Sequence, residues 1–153
     1  LIEFNARLGD PEAMNILPIL KTNFVDICNR IINENLTIDI EFENKATVCK
    51  YLAPEGYPKS PQKDQLISID ERGLKKSGAK YYYASVYKKD SKIYTTTSRS
   101  IGVLGIETTL EKAEQIAEKG VEFIHGNLFH RKDVGTQSLL QKRIDHMNSL
   151  LSK

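Results

Sequence analysis

Glu3, Asn5 and Arg7 stand two residues apart near the start of the chain. Positions two apart on an extended strand point to one side, so an acid, an amide and a guanidinium would form a row. A glutamate carboxylate and an asparagine side-chain carbonyl are oxygen donors of the kind Mg²⁺ prefers, the remaining positions going to water and phosphate oxygens. Arg7 would then stand where anionic charge collects. Directly beyond, Gly9 allows a turn into a helix whose unpaired backbone N–H groups can receive an anion, with Asp10 and Glu12 competing for those donors. An edge strand with its polar face in water shows the same alternation, so alternation alone leaves both readings open.

The elements that must position this row follow from the apolar pattern. Ile2, Phe4, Ala6 and Leu8 alternate with the polar row and predict a strand at the start of the chain. Asp10 is a good N-cap, Pro11 fits the first helical position, and Glu12 places negative charge in the first turn. A helix is expected there, with Met14, Ile16, Leu17 and Leu20 on its buried side and Pro18 shortening or kinking it. Asn23 is placed to cap a second helix carrying Phe24, Ile27, Cys28, Ile31 and Ile32, which should finish within Asn33–Asn35. A domain boundary is expected near Asn44.

From Ala46 the pattern changes to short strands and turns: Ala46–Leu52, a loop holding Gly56, Tyr57 and Pro58, then Leu66–Asp70. Ala79–Lys88 and Ser91–Thr97 flank a charged turn at Lys89 and Asp90 and predict a hairpin, with a further strand at Ser100–Ile106. Thr108 and Glu111 have the spacing of a capping box, opening a helix with Leu110, Ala113, Ile116, Ala117, Val121 and Ile124 inward and its end near Gly126. A last helix from Gln137 carries Leu140, Ile144, Met147 and Leu151 on one stripe. The fold class is α+β: a strand with helices over residues 1–44, then a mainly antiparallel β domain with two helices over residues 45–153.

Composition bounds the rest. The 153 residues are 40% apolar and 27% charged, with a formal net charge of +2, which fits a globular chain that has no dedicated nucleic-acid or membrane surface. Cys28 and Cys49 stand apart in apolar surroundings and read as reduced thiols, which suits the cytoplasm. The first residue is Leu1, leading straight into an apolar strand, and the natural start is expected upstream. Arg99 and Arg131, lone arginines beside turns, read first as surface salt-bridge partners. His125 and His130 lack metal-ligand spacing and read as structural or exposed, and Tyr81–Tyr83 as a half-buried stretch of sheet.

The string IEFNARLGDPE at residues 2–12 resembles the metal- and substrate-binding signature of the phosphoribosylamine–glycine ligases of the ATP-grasp superfamily. GYP at 56–58, TSRS at 97–100 and HRKDVG at 130–135 follow in the order of that family's C-terminal region, so the resemblance covers essentially the whole chain. Ala13, Met14 and Asn15 replace the usual bacterial continuation, and TSRS stands where a Gly-Gly-Arg turn is common; both departures look archaeal.

The resemblance implies that residues 1–44 close an ATP-grasp domain and that residues 45–153 form a C-terminal domain of the rudiment single-hybrid kind. It implies Glu3 and Asn5 as ligands of Mg²⁺ or Mn²⁺, and Arg7 as a catalytic residue near the transferred phosphoryl group or the phosphoribosyl substrate. Gly9, Asp10, Pro11 and Glu12 would complete the substrate-facing loop. The implied activity is purine-pathway ligation of glycine to 5-phosphoribosylamine with ATP, through glycyl phosphate, in a complete enzyme whose missing N-terminal part would hold the adenine. Alone, this stretch is expected to be inactive. The competing reading is a non-catalytic scaffold domain of another ATP-grasp ligase.

Overall fold

Pro11, not Asp10, opens the first helix in the computed structural model, which describes residues 7–152. Pro11 lies at φ −95°, ψ 7°, outside the helical region, so helix α1 (Glu12–Ile16) starts one residue later than the pattern predicts and has no side-chain cap. Pro18 acts as expected: α1 gives way at Leu17–Ile19 to a single 3-10 turn. The predicted strand over residues 1–8 falls almost wholly outside the described residues.

Helix α2 (Phe24–Ile32) follows, with Asn23 Oδ1 accepting hydrogen bonds from the N–H groups of Val25 and Asp26 at 2.9 and 3.2 Å. It ends at Asn33, and Glu34 takes a left-handed φ of 53°. The segment after it returns to pair with residues 19–21: Leu20 bridges Phe42, Lys21 N–H donates to Glu41 O, and Lys21 Nζ meets the Glu41 carboxylate at 2.6 Å. These elements belong to the first of two units, Leu1–Lys45, in which Ile27 is the only buried residue among those described.

The second unit, Ala46–Lys153, contains β1 (Ala46–Pro54), β2 (Leu66–Ile69), α3 (Glu71–Ser77), β3 (Lys80–Tyr83), β4 (Val86–Lys89), β5 (Lys92–Thr95), β6 (Ile101–Glu107), α4 (Leu110–Val121), β7 (Ile124–His125), β8 (Leu128–His130) and α5 (Gln137–Leu151). Its strands form two antiparallel four-stranded sheets, ordered β3-β6-β1-β8 and β4-β5-β2-β7. The fold is α+β, as the alternation of strand and helix patterns implies.

Five local readings are corrected by the structure. The predicted strand Ala79–Lys88 is two strands in two sheets: β3 pairs with β6, and after Ala84 and Ser85 the chain crosses so that β4 pairs with β5. The hairpin turn is Asp90 and Ser91, not Lys89 and Asp90: both take positive φ, 48° and 61°, as a two-residue turn whose twist matches its strands requires, and Lys89 ends β4. Helix α3 is a third helix in the unit. Asp70 caps it by accepting from Gly73 N–H at 3.0 Å, and Gly78 ends it at φ 81°, but seven residues are too few to show a helical apolar period.

Thr109, not Thr108, caps α4, accepting from Lys112 N–H at 3.3 Å, while Thr108 bonds to Glu107. With lysine at the third helical position, no carboxylate closes a capping box. The helix stops at Val121, and Ile124 belongs instead to β7, paired with Ile69 of β2.

The core of this unit joins Leu52, Ile101 and Val103 from the first sheet to Ile67 and Ile124 from the second, with Leu74 of α3 and Val121 of α4. Helix α4 lies against β1 and β6, where Val48, Ala113 and Ala117 form a smaller cluster. Gly105 makes that approach possible, since a Cβ there would stand 1.9 Å from the Ala113 carbonyl oxygen. No helix among the described residues is long and apolar enough to cross a membrane.

Candidate functional site

Of the row with which the chain opens, Glu3 and Asn5 lie outside the described residues. Arg7 is exposed, and its guanidinium donates to the Leu8 carbonyl at 3.0 Å. Gly9 is half-buried beneath Glu12, and a Cβ at that position would stand 2.3 Å from Glu12 Oε2. The Gly9 carbonyl accepts the Ala13 N–H at 2.9 Å, and the Pro11 carbonyl accepts that of Met14 at 2.9 Å. Residues 9–12 thus form a tight loop with the Glu12 carboxylate folded over its glycine. Helix α1 is a little over one turn long, too short for a strong dipole, so the loop offers anions less than the sequence pattern implies.

The other charged constellation sits in the second unit and was missed by sequence reasoning. Lys50, in the middle of β1, is 1% exposed. Alternation along β1 puts Val48, Lys50 and Leu52 on the face that meets α4. On α4, Glu114 and Glu118 are one turn apart and reach the same ammonium. Lys50 Nζ donates to Glu114 Oε1 and Glu118 Oε2, both at 2.6 Å, and to the Lys132 carbonyl at 2.9 Å.

Three donors meet three acceptors, which is what a buried ammonium needs. Beyond them, His130 at the end of β8 places Nε2 3.0 and 3.1 Å from the two Glu118 oxygens. A carboxylate only accepts, so Nε2 carries the hydrogen. Burial pushes the Glu118 carboxyl up, but the hydrogen bonds from Lys50 and His130, with their charges, outweigh it and hold the group below its ordinary value.

The network is closed and already satisfied. It ties β1, α4 and the segment after β8 together. A lysine between Cys49 and Tyr51 in an otherwise apolar strand was the sequence signal that could have found it, joined to two glutamates four apart on the sheet-facing helix.

The remaining candidates divide. Arg131 makes a two-pronged salt bridge to Asp133, Nε to Oδ1 at 3.0 Å and Nη2 to Oδ2 at 2.7 Å, in the open, as the sequence reading expects. The hydrogen bond between them raises Arg131 and lowers Asp133 from their ordinary values. Arg99 is not simply a surface salt-bridge group: its guanidinium lies over the Tyr51 ring, 4.5 Å from the centroid. His125 is exposed, and His130 is structural, as described.

In the tyrosine run, Tyr81 and Tyr83 meet edge to face at 5.5 Å. Burial, with Tyr83 and Glu71 adding to it, pushes the Tyr81 phenol up to about 12, so it stays protonated at neutral pH. Cys49 is buried and Cys28 half-buried, and neither is in a disulfide. Among the described residues no three His, Cys, Asp or Glu side chains are grouped to hold a metal ion.

Comparison with known proteins bears on the whole length. The sequence model of the family described as "Phosphoribosylglycinamide synthetase, C domain" matches residues 47–137. A protein of Methanocaldococcus jannaschii named phosphoribosylamine–glycine ligase is 50% identical over 151 residues, which is 98% of this chain and 34% of that protein. Its namesake in Methanosarcina barkeri is 51% identical over the same length.

The crystal structure of phosphoribosylamine–glycine ligase from Thermotoga maritima superposes with a TM-score of 0.72 at 29% identity, covering 87% of this chain and 32% of that one. The chain spans about a third of the length of the relatives it matches.

Proposed function

Because the chain belongs to the phosphoribosylglycinamide synthetase family, we propose that it is the closing third of an ATP-dependent ligase that joins glycine to 5-phosphoribosylamine. The observation that carries this reading is half-identity to archaeal ligases of that name along 98% of the chain. A carboxylate resists attack by an amine because its leaving group would be oxide. Phosphorylation of glycine by ATP gives glycyl phosphate, whose leaving group is phosphate, and the ribosylamine nitrogen then forms the new C–N bond. Residues 1–44 would close the ATP-grasp domain and residues 45–153 would form the C-terminal domain. This purine-pathway role would be exercised in the cytoplasm.

Glu3 and Asn5 supply a carboxylate and an amide oxygen, a donor set that suits Mg²⁺ or Mn²⁺. Such an ion, when bound, neutralises charge on the phosphates of ATP. Arg7 adds a cation two positions on, and its exposed guanidinium, engaged only with the neighbouring Leu8 carbonyl in the contacts described, suits a role as an anion-binding catalytic group. Gly9, Asp10, Pro11 and Glu12 line the substrate side. The tightness of their loop, with the Gly9 and Pro11 carbonyls already accepting hydrogen bonds, favours positioning over proton transfer.

The test is a graft. Residues 1–153 replace the matching 151 residues of the M. jannaschii ligase, and glycine-dependent ADP release is followed with 5-phosphoribosylamine present. Activity near that of the parent is expected. A folded but inactive chimaera would sink the reading in favour of a scaffold domain.

A further inference from the structure

The HRKDVG string at residues 130–135 folds over Lys50. His130 ends β8, where it is paired with Leu52 of β1, and its ring is bonded to Glu118. From Arg131 onward the chain leaves the sheet. Arg131 and Asp133 bond to each other, and the Asp133 carbonyl accepts the N–H and the hydroxyl of Thr136 at 3.2 and 2.8 Å, so the turn is held largely by itself. Among the described residues one hydrogen bond, from Lys50 Nζ to the Lys132 carbonyl at 2.9 Å, joins residues 131–152 to the rest of the unit. Packing adds Gly135, which lies against Val48 and Glu114, and the half-buried Leu139 and Leu140 in the first turn of α5. None of residues 131–152 is buried.

The distribution of bonds makes this stretch separable. Lys50 loses one of three acceptors when the Lys132 carbonyl leaves, while Glu114 and Glu118 stay with it on α4 and His130 stays with Glu118. The ammonium keeps both counter-charges, so opening here costs far less than breaking the buried pair. It uncovers a side chain that is otherwise wholly shielded from water.

We propose that residues 131–152 form a strap that opens and closes over Lys50 as a unit while both sheets and α4 stay folded. The Lys132 carbonyl is the catch. Gly135 lets the strap lie down, since its φ is 80° and a Cβ there would stand 2.7 Å from Val48 Cγ1. The strap is a property of the second unit and stands whether or not the ligase reading does.

Acylation of Lys50 by an N-hydroxysuccinimide ester in the 153-residue chain, followed by mass spectrometry and scaled to the exposed Lys89, reads openings of the strap. Amide exchange in β6, whose Ile101, Val103 and Leu104 are fully buried, reads openings of the sheet. Below the unfolding transition, urea should leave the Lys50 rate unchanged within about twofold while β6 exchange accelerates steeply, since only the second event exposes much surface. Gly135→Ala should raise the Lys50 rate about tenfold and leave β6 exchange as in the parent, because alanine is strained at a left-handed φ.

A Lys50 rate that climbs with urea in step with β6 exchange would overturn the proposal, because the ammonium would then be reached only through global unfolding. A Gly135→Ala chain in which both rates rise together would also overturn it and make the turn part of the cooperative core. The urea comparison needs no variant, so it decides the matter even if Gly135→Ala fails to fold.

Discussion

The two units hold their side chains in different ways. In the second, two sheets and α4 enclose a core in which Ile101, Val103, Leu104, Ala113 and Ala117 lose all contact with water. In the first, Ile27 alone is buried among the described residues, while Phe24, Val25, Ile31, Ile32, Leu36, Ile40 and Phe42 stay exposed. Apolar surface of that extent is unfavourable in water and marks a face that gains by being covered. The residues proposed for chemistry lie in the first unit and a buried ion network in the second. On that proposal chemistry and scaffolding are separable by mutation, and each experiment below asks whether that division holds.

The largest effect is expected in the first unit. In the complete ligase, Glu3→Gln keeps the shape of the side chain but removes the charge proposed to hold the metal. Loss of one such electrostatic contact to a reacting phosphoryl group lowers kcat by about 10²–10³-fold. Steady-state ADP release measures it, and thermal unfolding of the same variant should stay within a degree or so of the parent, about what a substitution without packing consequences produces. Normal turnover would remove Glu3 from the ligand set. A large drop in unfolding temperature would break the division itself.

Lys50 gives the opposite signature. Lys50→Met removes a fully buried ammonium and leaves Glu114 and Glu118 facing each other, 15% and 34% exposed. Breaking a buried pair from one side costs about 3 kcal/mol. Urea unfolding should register that loss. The triple variant with Glu114→Gln and Glu118→Gln should recover most of it, because amides tolerate each other where carboxylates do not. No recovery would mean that the loss arises elsewhere than in the two facing carboxylates, as from the Lys132 carbonyl left without its donor.

How much was legible follows the same division. Helices α2 and α5 and strand β6 were readable because capping residues and an apolar period agree over several turns or along a whole strand. Helix α3 was hidden because it buries only Gly73 and Leu74, too little for a period, although Asp70 and Gly78 mark both ends. The break at Ala84 and Ser85 was unreadable for another reason. Tyr81, Tyr83, Val86 and Tyr87 all favour strand, and only pairing with β6 on one side and β5 on the other decides which sheet each joins.

Position 50 was passed over because a lysine in a strand reads as an exposed residue unless its partners, 64 and 68 residues away, are known. For the candidate site, sequence supplied the residue types, and the structure supplied the Glu12–Gly9 contact and the short α1 that limit what the loop can bind.

A smaller effect separates Glu118 from its neighbours by pH. Its folded-state value is lowered from 4.5, so between the two values the unfolded chain binds more protons than the native one. The stabilisation is therefore complete above about 4.5 and lost as pH falls through the folded value. The carboxyl is about a third exposed, which screens it, and the gain is expected to be at most about 1 kcal/mol. Urea midpoints taken from pH 7 down to pH 3 should fall less steeply in Glu118→Gln than in the parent. Parallel curves would show that the network titrates as a unit or not at all.

The smallest effect belongs to Arg131. Its salt bridge to Asp133 has better geometry than either Lys50 contact, with two parallel N–H donors against two carboxylate oxygens, yet both side chains stand in water. Geometry and burial thus give opposite forecasts, and burial should win, because water solvates both partners when the bridge opens. Arg131→Ala is expected to leave the urea midpoint of the 153-residue chain within the scatter of the measurement. Next to it in sequence, the Lys132 carbonyl is held by the buried Lys50. If Arg131→Ala instead destabilises the chain as Lys50→Met does, the segment after β8 is positioned from its exposed side as well, and the buried network is not its sole anchor.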